Sequence, residues 1–572
     1  MQGDPDGSHV PDGGRVVTVE YAEARSDCAS TNSSARRAEE LGVSTQYERQ
    51  VALVNQAIME EIGFGAFQIK LTILAGFGWL ADNIWFEALA VTLPQIGYEF
   101  DVAHVQFATF SLYLGLLVGS TFWGFFSDII GRRPSWNATL FISGAFGIGV
   151  GAAPNFVGMC CMLACLGFGL GGNLPVDGAM MIEFIPGPYQ WVLTLLSLFW
   201  CIGQLFAALI TWAFITNYRC TSADNCPRSS NEGWRYSWFL LGGCVLLMWV
   251  LRYFVYPIPE SPKYLLAMRR EEDAFRVLQF VAKENGRATT LTLEKLRQAG
   301  LGRTMQVAGD EEAAPAASMD TNAKAGPPDG KAEATVEVHT RSYAWSQTQL
   351  GGHALSPRRV RENLRALHRS PMGALFASRR MALNTVLVCA CWGAIGLAYP
   401  LFNSFIAIYL GKIGVDAGTS TQTEEYRQLV IIAACGIPGS LIATAMVEVP
   451  YAGRRGSMAA FTGLTGVFLF LFTTARNPSA VLGWNCAISL TQNAMYGILY
   501  AITYEVFPAP QRGTGDGLAM STQRVFGVVA TLIAVYASEN VVVPIYVSAS
   551  IFLFAMVIML FLPYEPRGQN AL

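Results

Sequence analysis

Gly131-Arg132-Arg133 recurs as Gly453-Arg454-Arg455, and Glu183-Phe-Ile-Pro recurs as Glu505-Val-Phe-Pro; both intervals are 322 residues. Two unrelated motifs at one common offset imply that the halves of the chain are copies of a single unit. Around them lie apolar runs of about 20 residues, the length that crosses the hydrocarbon of a bilayer. Twelve spans are expected, at 70–96, 106–126, 136–153, 159–182, 191–215, 236–256, 382–410, 428–446, 456–475, 480–504, 516–537 and 541–563. The expected fold is an all-α membrane protein with twelve transmembrane helices in two pseudo-symmetric six-helix lobes.

Composition agrees with that class. Residues are 52% hydrophobic and 14% charged, against about 25% charged in soluble domains. A net charge of −3 leaves no basic surplus for nucleic acid, which is set aside as a partner. Residues 1–66 read as a mostly disordered cytosolic tail without the apolar run of a cleavable signal. The lobes occupy 67–256 and 381–565, the linker 257–380 and a short tail 566–572. In the linker, Ser261-Pro262 is a helix start, and Leu266, Ala274, Leu278 and Val281 form a helical stripe, so short amphipathic helices are expected. The aperiodic stretch 303–357 is expected to be disordered. Arg358, Arg359, Arg361, Arg379 and Arg380 suit anionic lipid headgroups.

Basic connectors carrying Arg132, Arg133, Arg454, Arg455, Arg512 and the linker fall on one side of the twelve spans, and Glu99, Asp101, Glu424 and Glu425 on the other. Both termini and the linker are therefore expected in the cytosol. The plasma membrane is the default location, a vacuolar or vesicular membrane the alternative, and a functional monomer is expected. Of 12 cysteines, Cys160, Cys161, Cys165 and Cys201 read as small buried hydrophobes. Cys220 and Cys226 lie in a polar connector on the non-cytosolic side, where a disulfide can persist.

The turn after span two holds Gly124, Asp128, Gly131, Arg132 and Arg133. Glycines permit a tight turn, and Asp128 can pair with an arginine or sit at a helix N-terminus. With Glu183, Glu448, Arg454, Arg455, Glu505 and Arg512, these residues are the expected inner gate, an ion-pair latch that holds one conformation and breaks in another. The echo is imperfect, with Pro450 where Asp128 would align and Glu448 two residues earlier. The competing reading of the arginines is plain positive-inside topology.

These motifs, with Pro259-Glu260-Ser261-Pro262-Lys263-Tyr264-Leu265 and Glu505 through Gly513, resemble the major facilitator superfamily in its sugar-porter-related branch, over about 60–300 and 370–565. Ile62 through Gln68, leading into Gly78-Trp79-Leu80-Ala81-Asp82, resembles the synaptic-vesicle-protein-like organic-ion carriers, a neighbourhood that includes bacterial niacin carriers. The resemblance implies a central cavity between lobes, inverted three-helix repeats within each lobe, and rocker-switch alternating access. It also implies that an acid near Asp82 binds a coupling proton, although the usual helix-four Arg partner is not evident. Members commonly carry an Arg seven residues after the helix-four Glu. Here that position is Gln190, whereas Arg512 keeps it in the second half, so a lopsided inner charge network is expected.

Ionisable residues inside spans are costly and become functional candidates. Asp82, Glu87 and Asp177 are the proton-coupling candidates. Asp82 and Glu87 lie about 140° apart around a helix, whereas Asn83 shares the face of Glu87. Asp177 follows a Gly/Pro-broken stretch with Asn173 on its face. Arg524, deep in span eleven, can attract an anion or pair with an acid. Arg524, Asn173, Gln204, Trp392 and Tyr399 are the substrate-binding candidates; Trp85, Phe86 and Trp200 also read as cavity lining, against a packing role for each aromatic. No metal-ligand spacing, intraspan histidine or phosphate-binding loop occurs, so no metal, cofactor or ATP-driven pump is expected, and the chain is read as a carrier, not an enzyme.

The expected function is secondary active transport of a small polar or anionic organic solute, coupled to protons, with membrane lipids as partners. A sugar transporter is one alternative, supported by the Pro259–Leu265 motif and Gln204. A drug/proton antiporter is weaker, because 193–215 lacks proline and a glycine cluster. A non-transporting sensor that keeps the carrier fold is the third, supported only by 303–357.

Overall fold

The computed structural model describes residues 44–220, 226–301, 371–417, 422–449, 452–536 and 542–564. The stretch 303–357, Arg358, Arg359, Arg361 and the tail 566–572 lie outside the described residues. Twelve long helices are present among them. The first lobe holds α2 (Ala66–Phe100), α3 (Phe107–Ile130), α4 (Arg132–Ala152), α5 (Phe156–Ile182), α6 (Ser197–Asn217) and α7 (Gly233–Val250). The second holds α11 (Arg379–Ala417), α12 (Gln422–Met446), α13 (Gly453–Phe472), α14 (Pro478–Val506), α15 (Arg512–Tyr536) and α16 (Val542–Leu560). Nine helices are long and apolar enough by composition to cross a membrane, or ten if the bent pair at the start of the first lobe counts as one span. Helices α4 and α14 are not among them; α14 buries Asn485, Gln492 and Asn493.

Packing repeats between halves. In the first lobe α3 packs on α5, α4 on α5 and α7, and α2 on α6; in the second α12 packs on α14, α13 on α14 and α16, and α11 on α15. Every pair maps onto its partner by the same shift. Across the lobes α3 meets α15 and α6 meets α12, one pairing exchanged by the pseudo-twofold.

Order at the N-terminus begins earlier than the tail expected over 1–66. Helix α1 (Thr45–Gln56) continues as a wide turn to Ile62, with the Ser44 hydroxyl accepting from Tyr47 N at 3.2 Å. Val51, Val54, Ile58 and Ile62 recur at helical spacing and bury against the linker helices α8 (Pro262–Ala267), α9 (Glu271–Glu284) and α10 (Leu293–Leu301). A polar average over this stretch hides that stripe. The chain then turns 113° into α2, with Gly63 at φ 61°. Asn285 secures the corner by accepting from Phe67 N at 3.0 Å and donating to Gln68 Oε1 at 2.9 Å.

Cys201 is buried and Cys160 half-buried, but Cys161 and Cys165 are exposed on the outer surface of α5. Cys220 and Cys226 form a disulfide in the α6–α7 connector, at the end of the bundle opposite the linker.

Inside the first lobe a fully buried ion pair joins four helices. Arg252, just past α7, donates to Asp177 Oδ1 of α5 at 2.7 Å, to Leu74 O of α2 at 2.7 Å and to Trp136 O of α4 at 2.9 Å, and its guanidinium lies 3.8 Å from the centre of the Trp136 ring. A Cβ on Gly78 would stand 1.6 Å from the Asp177 carboxylate, so only glycine lets α2 come this close. Removing one member of such a pair strands a buried charge, at about 3–5 kcal/mol. Arg252→Met is thus expected to lower the unfolding temperature of the purified protein sharply, and Arg252→Met with Asp177→Leu to recover most of the loss; thermal unfolding of both variants checks this.

Candidate functional site

Gly131 adopts φ 112°, and a Cβ there would lie 2.4 Å from Glu260 Oε2. That turn aims the N–H groups of Arg132 and Arg133 at Glu260 Oε1, at 3.0 and 3.3 Å. The Arg132 guanidinium pairs with Asp128, approaches Glu183 at 3.6 Å and donates to Ala509 O in the other lobe at 2.8 Å. Asp128 crosses the same boundary. It accepts from Gly513 N at 3.2 Å, Thr514 N at 2.7 Å and Thr514 Oγ1 at 2.6 Å. These donors are in the first turn of α15, where helix N–H groups lack intrahelical partners and favour a negative charge. Arg512 adds a second crossing, to Glu183 at 3.3 Å, while holding Tyr504 O at 2.8 Å. All four charged side chains, Asp128, Arg132, Glu183 and Arg512, are fully buried. The lobes are therefore shut on the linker face. Gly124 and Gly517 mark how tightly, because a Cβ on either would meet the other's Cα at 2.6 or 2.7 Å.

The second-half echo works differently. Arg454 pairs with Glu505 at 2.7 Å within its own lobe, and Arg455 donates to Leu562 O at 2.8 Å. Glu448 is exposed near the end of α12. Among the described residues, the motif contacts seen to cross the boundary are those of Asp128, Arg132, Glu183 and Arg512.

Midway along the lobe boundary lies an aromatic layer. Trp79 of α2 meets Tyr500 of α14 at 4.9 Å, Trp200 of α6 meets Tyr496 at 5.1 Å, Trp392 of α11 meets Tyr500 at 4.5 Å, and Tyr399 meets Tyr496 at 5.5 Å between ring centres. Trp392 also donates to Thr503 Oγ1 at 3.0 Å. Asp82 sits in this layer, fully buried, with one oxygen accepting from Asn173 Nδ2 at 3.3 Å and the other without a donor. Arg524 of the opposite lobe is its attracting charge. That guanidinium lies 5.6 Å from the centre of the Phe86 ring, and its Nε has no acceptor. Asn173 Oδ1, Gln523 Oε1 and the hydroxyls of Tyr496 and Tyr500 are likewise buried and unsatisfied. Native interiors leave few such atoms, so each of these calls for an explanation.

The other candidates divide by helix face as the geometry requires. Asn83 donates to Trp200 O at 3.0 Å and Glu87 accepts from Gln204 at 3.2 Å, both toward α6, whereas Asp82 faces α5. Gln204 is thereby committed to Glu87. Asp177 does not join the layer; it belongs to the Arg252 pair inside one lobe. Trp85 stacks on Trp238 at 5.2 Å in the first-lobe core and lines nothing central. Sequence reading passed over Arg252, an ionisable group near the edge of span six, and Tyr496, Tyr500 and Tyr504, whose four-residue spacing was a legible stripe. It also passed over Asp516. Among the described residues no group of His, Cys, Asp and Glu side chains could hold a metal ion.

Comparison with known proteins agrees with this architecture. The sequence profile of the Major Facilitator Superfamily matches residues 71–448. The chain is 42% identical to the MFS siderochrome iron transporter 1 of Ceriporiopsis subvermispora over 92% of both chains. It is 24% identical to the Synaptic vesicle 2-related protein of Rattus norvegicus, covering 90% of this chain and 82% of that one. Among solved structures, the proton:xylose symporter XylE bound to 6-bromo-6-deoxy-D-glucose superposes with a TM-score of 0.63 at 15% identity, covering 88% and 98% of the two chains. The chain belongs to the Major Facilitator Superfamily and is a multi-pass membrane transporter, not an enzyme.

Proposed function

We propose that this transporter moves a small anionic organic solute together with a proton, by alternating access, with its linker face in the cytosol. The observation that carries the reading is the confrontation of Asp82 and Arg524 from opposite lobes, each buried and each with an unpartnered atom, inside a shell of tryptophan and tyrosine. An ionised Asp82 occupies the field of Arg524. A protonated Asp82 leaves that guanidinium to a solute carboxylate, which it can grip with two parallel hydrogen bonds. Proton and anion then load as a pair that adds no net charge to a low-dielectric layer. Flat aromatic walls favour a planar solute body. Because the linker face is clasped shut, solute reaches this layer from the opposite face when that face opens.

The test is uptake into proteoliposomes of a labelled panel of nicotinate, small aliphatic carboxylates, hexoses, organic cations and a ferric siderophore, with and without an inward proton gradient. Gradient-driven uptake of carboxylates alone is the expected result; uptake confined to hexoses would replace this reading with the sugar-transporter alternative. Asp82→Asn is expected to abolish accumulation driven by the gradient while leaving solute exchange, and unchanged accumulation would sink the assignment. Arg524→Gln removes the charged donor, worth about 1.5–3 kcal/mol per hydrogen bond to a charged group. Binding of the transported anion, measured by calorimetry, should weaken by about 10- to 100-fold, with little effect if Arg524 is only structural.

A further inference from the structure

Asp516 lies one turn into α15, fully buried, and neither of its carboxylate oxygens has a hydrogen-bond donor. Its charged neighbours are those of the clasp. Arg512 and Arg132 attract it, and Asp128 and Glu183 repel it. Three carboxylates therefore share two guanidiniums in a place closed to water. The allocation among them is already decided by geometry. Asp128 holds Arg132 and three donors of α15, and Glu183 lies between Arg132 and Arg512. Asp516 receives no hydrogen bond from any of them.

Among the described residues, the cations that act most strongly on Asp516 are Arg512 and Arg132. Tyr504 of α14 is a neutral neighbour, and Tyr47 of α1 lies in the field of Glu183 and Arg512. Glu260, just outside the cluster, takes the backbone donors of Arg132, Arg133 and Ser261; burial pushes its carboxyl up while those donors pull it down. Lys263 is buried on α8 beyond it. Arg379 and Arg380 of α11 are exposed, the latter over the Tyr564 ring at 4.7 Å. Arg454 is held by Glu505.

An unpaired buried carboxylate costs several kcal/mol if ionised and far less if protonated. We infer that Asp516 is a proton-binding residue of the gate: it carries a proton while the lobes are closed on the linker face and releases it to water on that side when they part. The inference concerns the gate and is independent of which solute is carried or whether Asp82 couples it to protons. By linkage, the closed state binds one more proton than the open state, so acid on the linker side favours closure and alkali favours opening.

The experiment reads lobe separation directly and needs no solute. Spin labels are placed through non-canonical residues at Lys283 and Met372, both exposed, on linker segments that pack against different lobes: Glu271–Glu284 on α2 and Pro371–Ala374 on α15. Distances are measured by electron resonance on the full chain in lipid nanodiscs from about pH 5 to about pH 8.5. The expected result is a closed-to-open ratio that falls by up to about tenfold per pH unit between the two pKa values of one group. In Asp516→Asn that slope should flatten, with the closed form favoured throughout. If that variant is not recovered as a folded monomer, Asp516→Thr is used, since Thr194 stands at the corresponding place, 322 residues earlier. A wild-type ratio independent of pH overturns the inference. So does an Asp516 variant with the wild-type slope, or a slope lost in Asp128→Asn but kept in Asp516→Asn.

Discussion

The structure depends on one carboxylate that belongs to one lobe and is solvated by the other. Asp128 ends α3, yet most of its hydrogen bonds come from the opening turn of α15. A helix N-terminus offers unpaired N–H groups that water satisfies when the lobes are apart and Asp128 satisfies when they are together. The exchange is nearly balanced by construction, as a reversible gate requires. Arg132 pairs with the carboxylate and reaches across to Ala509 O, and Glu183 with Arg512 repeats the crossing one helix further in. The pairing of α3 with α15 positions the clasp, and glycines at Gly124 and Gly517 bring the two backbones into contact.

The central layer follows the same logic with the opposite emphasis. At the clasp Asp128, Arg132, Glu183 and Arg512 bond to one another and across the boundary while Asp516 is left out of those bonds; between Asp82 and Arg524 hydrogen bonds are left open. A closed gate beside an unsatisfied layer is the division of labour expected of a carrier, which must hold one end firmly and leave the centre ready for a guest. Arg252 shows the contrast. It is as deeply buried as Arg524, but four groups surround it, and it serves to tie α2, α4, α5 and α7 into one rigid lobe.

Much of this was legible before any coordinates. The 322-residue repeat announced two equivalent lobes, and the packing pairs repeat accordingly. Asp128 was readable as an arginine partner or a helix-terminal anion, and it is both. What sequence could not supply was the partner of each buried charge. Asp177 and Asp82 look equivalent as intraspan acids, and only three-dimensional packing sends one to Arg252 and the other to Arg524. Rotation about a helix was readable, as the split between Asp82 and the Asn83–Glu87 face shows; the identity of the helix met at that face was not. The α1 segment was missed because its apolar stripe covers only one side of a polar helix that pays its way through the linker helices it meets.

The claim that Asp128 holds the linker face shut is tested most directly by the reactivity of a cysteine at Ala509, a buried site whose backbone oxygen, not its side chain, contacts Arg132. Alkylation of that cysteine by a membrane-impermeant reagent is followed by peptide mass spectrometry, with the full chain in nanodiscs. Replacing Asp128 by Ala should speed the reaction by about tenfold or more, the equivalent of about 1.4 kcal/mol or one lost charge-assisted bond. An unchanged rate in a folded Asp128→Ala protein would contradict the account.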